Sequence, residues 1–134
     1  MPSFCGSSLI WDNAITKKNK KKRLVRKITM LTTDKIEKKI NSELTTKIKK
    51  SEILYGQIYL KIEAENLIDV LIFLKSDQDT KFKQLIDITA VDYPENKDRF
   101  KMVYLLLSHE NNNRIILEYF INENEIVPSV TSIF

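Results

Sequence analysis

Only a few side chains in this sequence have the types needed for covalent or metal chemistry. The 134 residues include one histidine, His109, and one cysteine, Cys5. A nucleophile–base pair would have to use His109, and a zinc, haem or iron–sulfur site would need several Cys or His ligands in one constellation. His109 lies in His109-Glu110-Asn111-Asn112-Asn113, a run that reads as a polar turn with a solvated imidazole. With two glycines in the whole chain, neither a GxGxxG fingerprint nor a GxxxxGK[ST] loop is present to cradle a phosphate. Asp87 and Asp92 are the remaining candidates, set in a run of Leu, Ile, Val and Ala. Their spacing is odd, so a regular strand points them to opposite faces and they cannot act as one acid–base dyad. Two readings stay open for them. They are interface carboxylates that meet arginines of a neighbouring subunit, or they are polar-face and turn residues, with Asp92 bonding the backbone ahead of Tyr93-Pro94. No catalytic, cofactor-binding or metal-ligating residue is assigned, and no cofactor is expected.

The formal charge of +4 is unevenly spread. Residues 1–29 hold eight basic side chains between Lys17 and Lys27 against one acid, Asp12, which leaves 14 basic and 17 acidic residues in 30–134. The chain therefore reads as a basic leader, 1–29, followed by a mildly acidic domain, 30–134. Several readings of the leader stand side by side: a nucleic-acid or anionic-membrane contact, a short amphipathic helix through Leu24, Val25 and Ile28, a mitochondrial-type presequence, a solvated tail, or a stretch upstream of a true start at Met30. Apolar runs such as Val70-Leu71-Ile72-Phe73-Leu74 are far short of the ~20 residues that span a bilayer. Tyr55, Tyr59, Tyr104, Tyr119 and Phe120 suit either a base-stacking platform or core and interface packing, and the acidic balance of the body favours packing.

The elements that must position these residues follow from periodicity. Asp34 is the expected N-cap of a helix over 34–47, with Glu37 as its capping-box partner and Ile36, Ile40 and Leu44 as its apolar stripe. Ile58, Leu60 and Ile62 alternate with polar neighbours as a half-buried strand just after Gly56. A second, largely buried helix is capped by Asn66 or Glu65 and runs to Ser76-Asp77 through Leu67, Leu71 and Leu74. Strands over 85–92, 100–108 and 114–121 follow, joined by short polar turns as antiparallel neighbours. In the last of them Ile115, Leu117, Tyr119 and Ile121 face one way. Helix, strand, helix and a three-strand meander predict an α+β fold: a two-layer domain with a mainly antiparallel sheet and helices packed on one face.

Three segments also carry a family resemblance. Leu85-Ile86-Asp87-Ile88-Thr89-Ala90-Val91-Asp92-Tyr93-Pro94 resembles the L-x-D-x-T-A-V-D-Y-P segment of the C-type, thirty-kilodalton subunit of proton-pumping NADH:quinone oxidoreductase, respiratory complex I. Arg99-Phe100 with Val103-Tyr104-Leu105-Leu106-Leu107-Ser108 is similar to its RF-x-x-VY-x-LLS strand, and Val127-Pro128-Ser129-Val130-Thr131 with Ile133-Phe134 to its VPSVT-x-IF segment. The three matches occur in family order and spacing, and the resemblance covers about Leu31 to Phe134. The ERE-x-x-D and HP-x-L-x-R stretches that follow in the family have no counterpart here, so the chain is read as the N-terminal domain, truncated relative to a longer parent.

The resemblance implies an accessory of the peripheral arm without flavin or cluster. Its implied partners are the subunits that carry the terminal iron–sulfur cluster and form the quinone site, on the cytoplasmic side of a bacterial inner membrane. Interface residues expected on this basis are Asp87, Asp92, Tyr93, Pro128, Ser129, Ile133 and Phe134, with Val130, Ile133 and Phe134 forming an apolar docking patch. The alternatives are a small binding protein that uses the leader on nucleic acid, and a non-functional remnant of a split gene.

Overall fold

The computed structural model describes residues 31–134, so the leader readings lie outside the described residues. Helix α1 spans Thr33–Glu43, strand β1 Ile48–Leu54, strand β2 Gln57–Ile62 and helix α2 Leu67–Ser76, the last entered through a 3-10 turn at Ala64–Asn66. Strands β3 (Gln84–Asp92), β4 (Phe100–Ser108) and β5 (Asn113–Ile121) complete a five-stranded sheet in the order β1-β2-β5-β4-β3. All neighbours are antiparallel except β2 and β5. The expected α+β architecture holds, with one strand more than periodicity alone supplies.

The register explains the layers. Ile58 pairs with Ile115 and Leu60 with Leu117, while Ile115 faces Leu106 and Leu117 faces Tyr104 across β4. These residues share one face of the sheet and are buried. Ile36, Ile40 and Leu44 from the first helix region, and Leu67, Val70, Leu71 and Leu74 from α2, close over that face as the second layer. Helix α1 is amphipathic for this reason, with one apolar stripe against the sheet, whereas α2 is apolar over most of its surface and leaves Ile72 half exposed.

Several local expectations are corrected. Asp34 is not the N-cap of α1. Thr32 holds that position, without a side-chain cap bond, and Asp34 lies in the first turn, where its charge suits the helix dipole. Glu37 makes no capping box; its carboxylate accepts from Asn41 Nδ2 at 2.5 Å and from Ser51 Oγ, tying α1 to β1. The helix stops at Glu43 rather than Lys47, because the Lys47 and Ile48 amides both bond to the Leu44 carbonyl and turn the chain into β1. The start of α1 is held from far along the chain. The Leu31 amide donates to Asn111 Oδ1 at 3.3 Å, Thr33 Oγ1 to Asn113 Oδ1 at 2.7 Å, and Asn113 Nδ2 to the Leu31 carbonyl at 3.2 Å. Asn111 and Asn113 are buried in consequence, not merely turn-forming.

The β1–β2 hairpin turns through Tyr55 and Gly56, with φ of 52° and 74°. Two consecutive left-handed residues match the twist of the flanking strands, as in a type I′ turn. A Cβ on Gly56 would meet no atom within 4 Å, so the demand for glycine is conformational, not steric. Gly56→Ala is expected to cost about 1 kcal/mol, and Tyr55→Asn, which suits the left-handed region, to gain a few tenths. Urea titration of the two variants checks the opposite signs; equal midpoints would contradict this turn geometry.

Candidate docking surface

Strand β3 ends the sheet, and its outer edge has no strand partner among the described residues. The helices do not reach over it. From Ile86 to Asp92 every residue is exposed, on both faces, although the run contains Ile86, Ile88 and Val91. These three, with Tyr93 in the following turn, have 37–47% of their surface open. The opposite edge is built differently. Strand β1 carries Lys49, Lys50 and Glu52 along its first part, charges that discourage another strand from adding there, and exposes Ile53 and Leu54 next to the hairpin turn.

The two carboxylates behave differently. Asp87 pairs with Leu105 and Asp92 with Phe100, so they lie on opposite faces of β3. Asp92 is held within its own chain: Arg99 Nε and Nη2 donate to its two oxygens at 2.5 and 2.7 Å, and Arg99 Nη1 donates to Glu123 at 2.5 Å. These bonds from Arg99 hold the Asp92 carboxyl below its ordinary value and raise the guanidinium in turn. The Asp92 side chain thus closes the β3–β4 hairpin through Arg99 instead of bonding the backbone ahead of Pro94. The turn is set by the main chain, with the Tyr93 amide on the Arg99 carbonyl at 2.8 Å and the Asn96 amide on the Tyr93 carbonyl at 3.0 Å. Asp87 has no cation of the described residues within ion-pairing distance, and accepts only from the Ile88 amide at 2.9 Å and Thr89 Oγ1 at 3.1 Å.

Tyr93 packs its ring against Phe120 on β5, with centroids 6.2 Å apart. Phe120 lies on the helix-free face, where Glu118 bridges Lys61 and Lys101 beside a groove of about 300 Å³ that also touches Tyr59. Tyr104 and Tyr119 are buried on the other face, and Tyr55 sits in the hairpin turn, so the five aromatics do not form one exposed platform. His109 Nε2 meets Gln84 Oε1 at the exposed end of the β3–β4 pair. Among the described residues no group of three or more His, Cys, Asp or Glu side chains is placed to hold a metal ion.

The C-terminal segment is placed otherwise than expected. Val130 and Ile133 are 6% and 9% exposed and belong to the core, so they are not an open docking patch. Lys75 Nζ donates to the Ile133 carbonyl and stands 5.4 Å from the centre of the Phe134 ring, which packs against the core half-buried. The reason is spatial: residues 127–134 fold back onto the helix-bearing layer, where their apolar side chains find partners. Pro128 and Ser129 remain exposed. Sequence reasoning missed Arg99 as the clamp on the hairpin and Phe120 as the floor under Tyr93. The alternation along β5 that sets Phe120 opposite Tyr119 was the available signal for the second.

The architecture defines a two-layer α+β domain whose sheet ends in a charged strand, β1, on one side and a largely apolar one, β3, on the other. Comparison with known proteins identifies it further: the chain belongs to the family described as "Respiratory-chain NADH dehydrogenase, 30 Kd subunit", which matches residues 60–134, more than half of the chain. It is 46% identical over 84 residues to the C-type subunit of NADH-quinone oxidoreductase from Sinorhizobium medicae, covering 63% of this chain and 42% of that protein. To the same subunit from Mesorhizobium japonicum it is 38% identical over 95 residues, covering 71% and 47%. The chain thus spans somewhat less than half the length of these relatives. Among solved structures, a chain from the membrane-bound sulfane sulfur reductase, an archaeal respiratory membrane complex, shares the fold with a TM-score of 0.59 at 21% identity, over 68% of this chain and 51% of that one. No described helix is long and apolar enough to cross a membrane.

Proposed function

We propose that this chain serves as a non-catalytic subunit of a proton-pumping NADH:quinone oxidoreductase, docked on the subunits that hold the terminal cluster and the quinone site. Its contribution to electron transfer from NADH to quinone is to brace that module at the cytoplasmic side of a bacterial inner membrane. Family membership supports the assembly, and the observation that carries a docking role is the open, apolar β3 edge. An exposed strand of this composition invites aggregation in a free-standing protein and is expected where a neighbour covers it. Asp87 and Tyr93 lie in that surface, Asp92 fixes the hairpin that presents it, and Pro128 and Ser129 offer a second exposed contact. Ile133 and Phe134 contribute by holding the C-terminal segment in place.

The competing reading gives the basic leader a nucleic-acid partner. The two separate on deletion of residues 1–29. The assembly reading expects the shortened chain to be recovered with the oxidoreductase subunits at the level of the full chain. Nucleic-acid binding by the full chain that falls steeply with salt and vanishes on deletion, together with no recovery of oxidoreductase subunits, would overturn it.

A further inference from the structure

We infer that β3 is completed by strand addition, and that the added strand is an extended segment of a neighbouring subunit with an arginine or lysine opposite Asp87. This inference rests on the assembly reading and specifies the contact within it. Its first support is geometric. After the register shift between Leu85 and Asp87, β3 pairs with β4 without a further shift from Asp87 to Asp92, which leaves an outer edge for hydrogen bonding on which the Ile88 amide is engaged by Asp87 Oδ1. Apolar side chains flank that edge on both faces: Ile88 lies on the helix side with Tyr104, and Val91 on the opposite side with Lys101. A strand laid alongside would gain main-chain bonds from the edge and apolar contacts above and below it.

The second support is charge. Gln84–Asp92 contains two carboxylates and no basic residue. Asp92 is neutralised by Arg99, whereas Asp87 has only its own strand's Ile88 amide and Thr89 hydroxyl. An added strand strips water from Asp87, and a buried carboxylate without a cation is costly. A second copy of this strand would bring only further carboxylates to the seam. A partner strand with a cation at that position satisfies Asp87, and Arg suits it best because its planar fork matches the two carboxylate oxygens.

Hydrogen–deuterium exchange on the full chain, alone and in the assembled oxidoreductase, tests this directly. The outward amides of residues 86–92 are expected to exchange rapidly in the isolated chain and about a hundredfold more slowly in the complex. Asp87→Lys is expected to lower recovery of the chain in the complex by about tenfold or more, and Asp87→Glu to restore it. Asp87 is exposed in the folded chain, so circular dichroism of both variants should match the parent. A chain that enters the complex with unchanged exchange in β3, or with Asp87→Lys recovered normally, overturns strand addition and leaves assembly standing. Protection already present in the isolated full chain overturns it in favour of a second copy or the chain's own residues 1–29. Failure to enter the complex at all removes the assembly reading and this inference with it.

Discussion

Replacing Ile133 by alanine is expected to destabilise the chain by about 2–4 kcal/mol. Here the backbone is tied at two points, with the Ile133 and Phe134 amides bonded to the Val130 carbonyl at 2.9 and 3.2 Å and Lys75 bonded to the Ile133 carbonyl. The Ile133 side chain is inside the same cluster as the α2 leucines. Ile126 supplies the control. It is 93% exposed, and Ile126→Ala should change stability by no more than about 0.5 kcal/mol. Urea unfolding should show a lower midpoint for Ile133→Ala with an unchanged slope. Equal behaviour of the two variants would show that the C-terminal segment is not part of the core, and would reopen its reading as a docking patch.

A second large effect is expected at Tyr104 and Tyr119. Their hydroxyls meet at 3.2 Å, their rings stack at 5.9 Å, and both side chains are almost wholly buried. They are diagonal neighbours, since Tyr104 pairs with Leu117 and Tyr119 with Met102. Burial, and then the bond to Tyr104, push the Tyr119 hydroxyl well above its ordinary pKa, so it stays neutral across the range in which the chain is studied. Removing one hydroxyl leaves the other buried without a partner. Tyr104→Phe and Tyr119→Phe should each cost about 1–3 kcal/mol, and the double variant less than the sum of the two. A coupling of about 1 kcal/mol or more in the double-mutant cycle is the expected result. Additive losses would mean that the pair is not a mutual hydrogen bond.

Elements with strong internal periodicity were legible in the sequence. Strands β3, β4 and β5 alternate or run in β-branched residues, and α2 carries a stripe that only a helix can align. Strand β1 was not legible, because Lys49, Lys50 and Glu52 interrupt it. The same charges that hide it from a pattern search are those that protect an edge. The parallel pairing of β2 with β5 was equally out of reach, since it joins strands separated by a helix and two other strands, and local sequence does not state which neighbour wins. The buried asparagines illustrate the same limit. Asn111 and Asn113 read as turn residues, and only the return of Leu31 and Thr33 to that turn shows that they anchor α1.

The candidate surface was legible in part. The odd spacing of Asp87 and Asp92 was enough to separate them onto two faces. That one of them is occupied by Arg99 and the other left without a cation depends on which way the 93–98 turn folds. Exposure of β3 was hidden as well. A run such as Ile86–Val91 reads the same in a central strand as at an edge, and the strand order and the reach of the helices decide between them. Family resemblance pointed to the same segment by its residues, while the fold shows the physical feature in it, an apolar strand left open.

The most direct test of the docking account is the size of the particle in which the full chain travels. In detergent extracts of cells producing it at native level, it should migrate in native gels with NADH:quinone reductase activity and with the other subunits of that enzyme. A chain found only as a free monomer, with the oxidoreductase present and active beside it, would contradict the account.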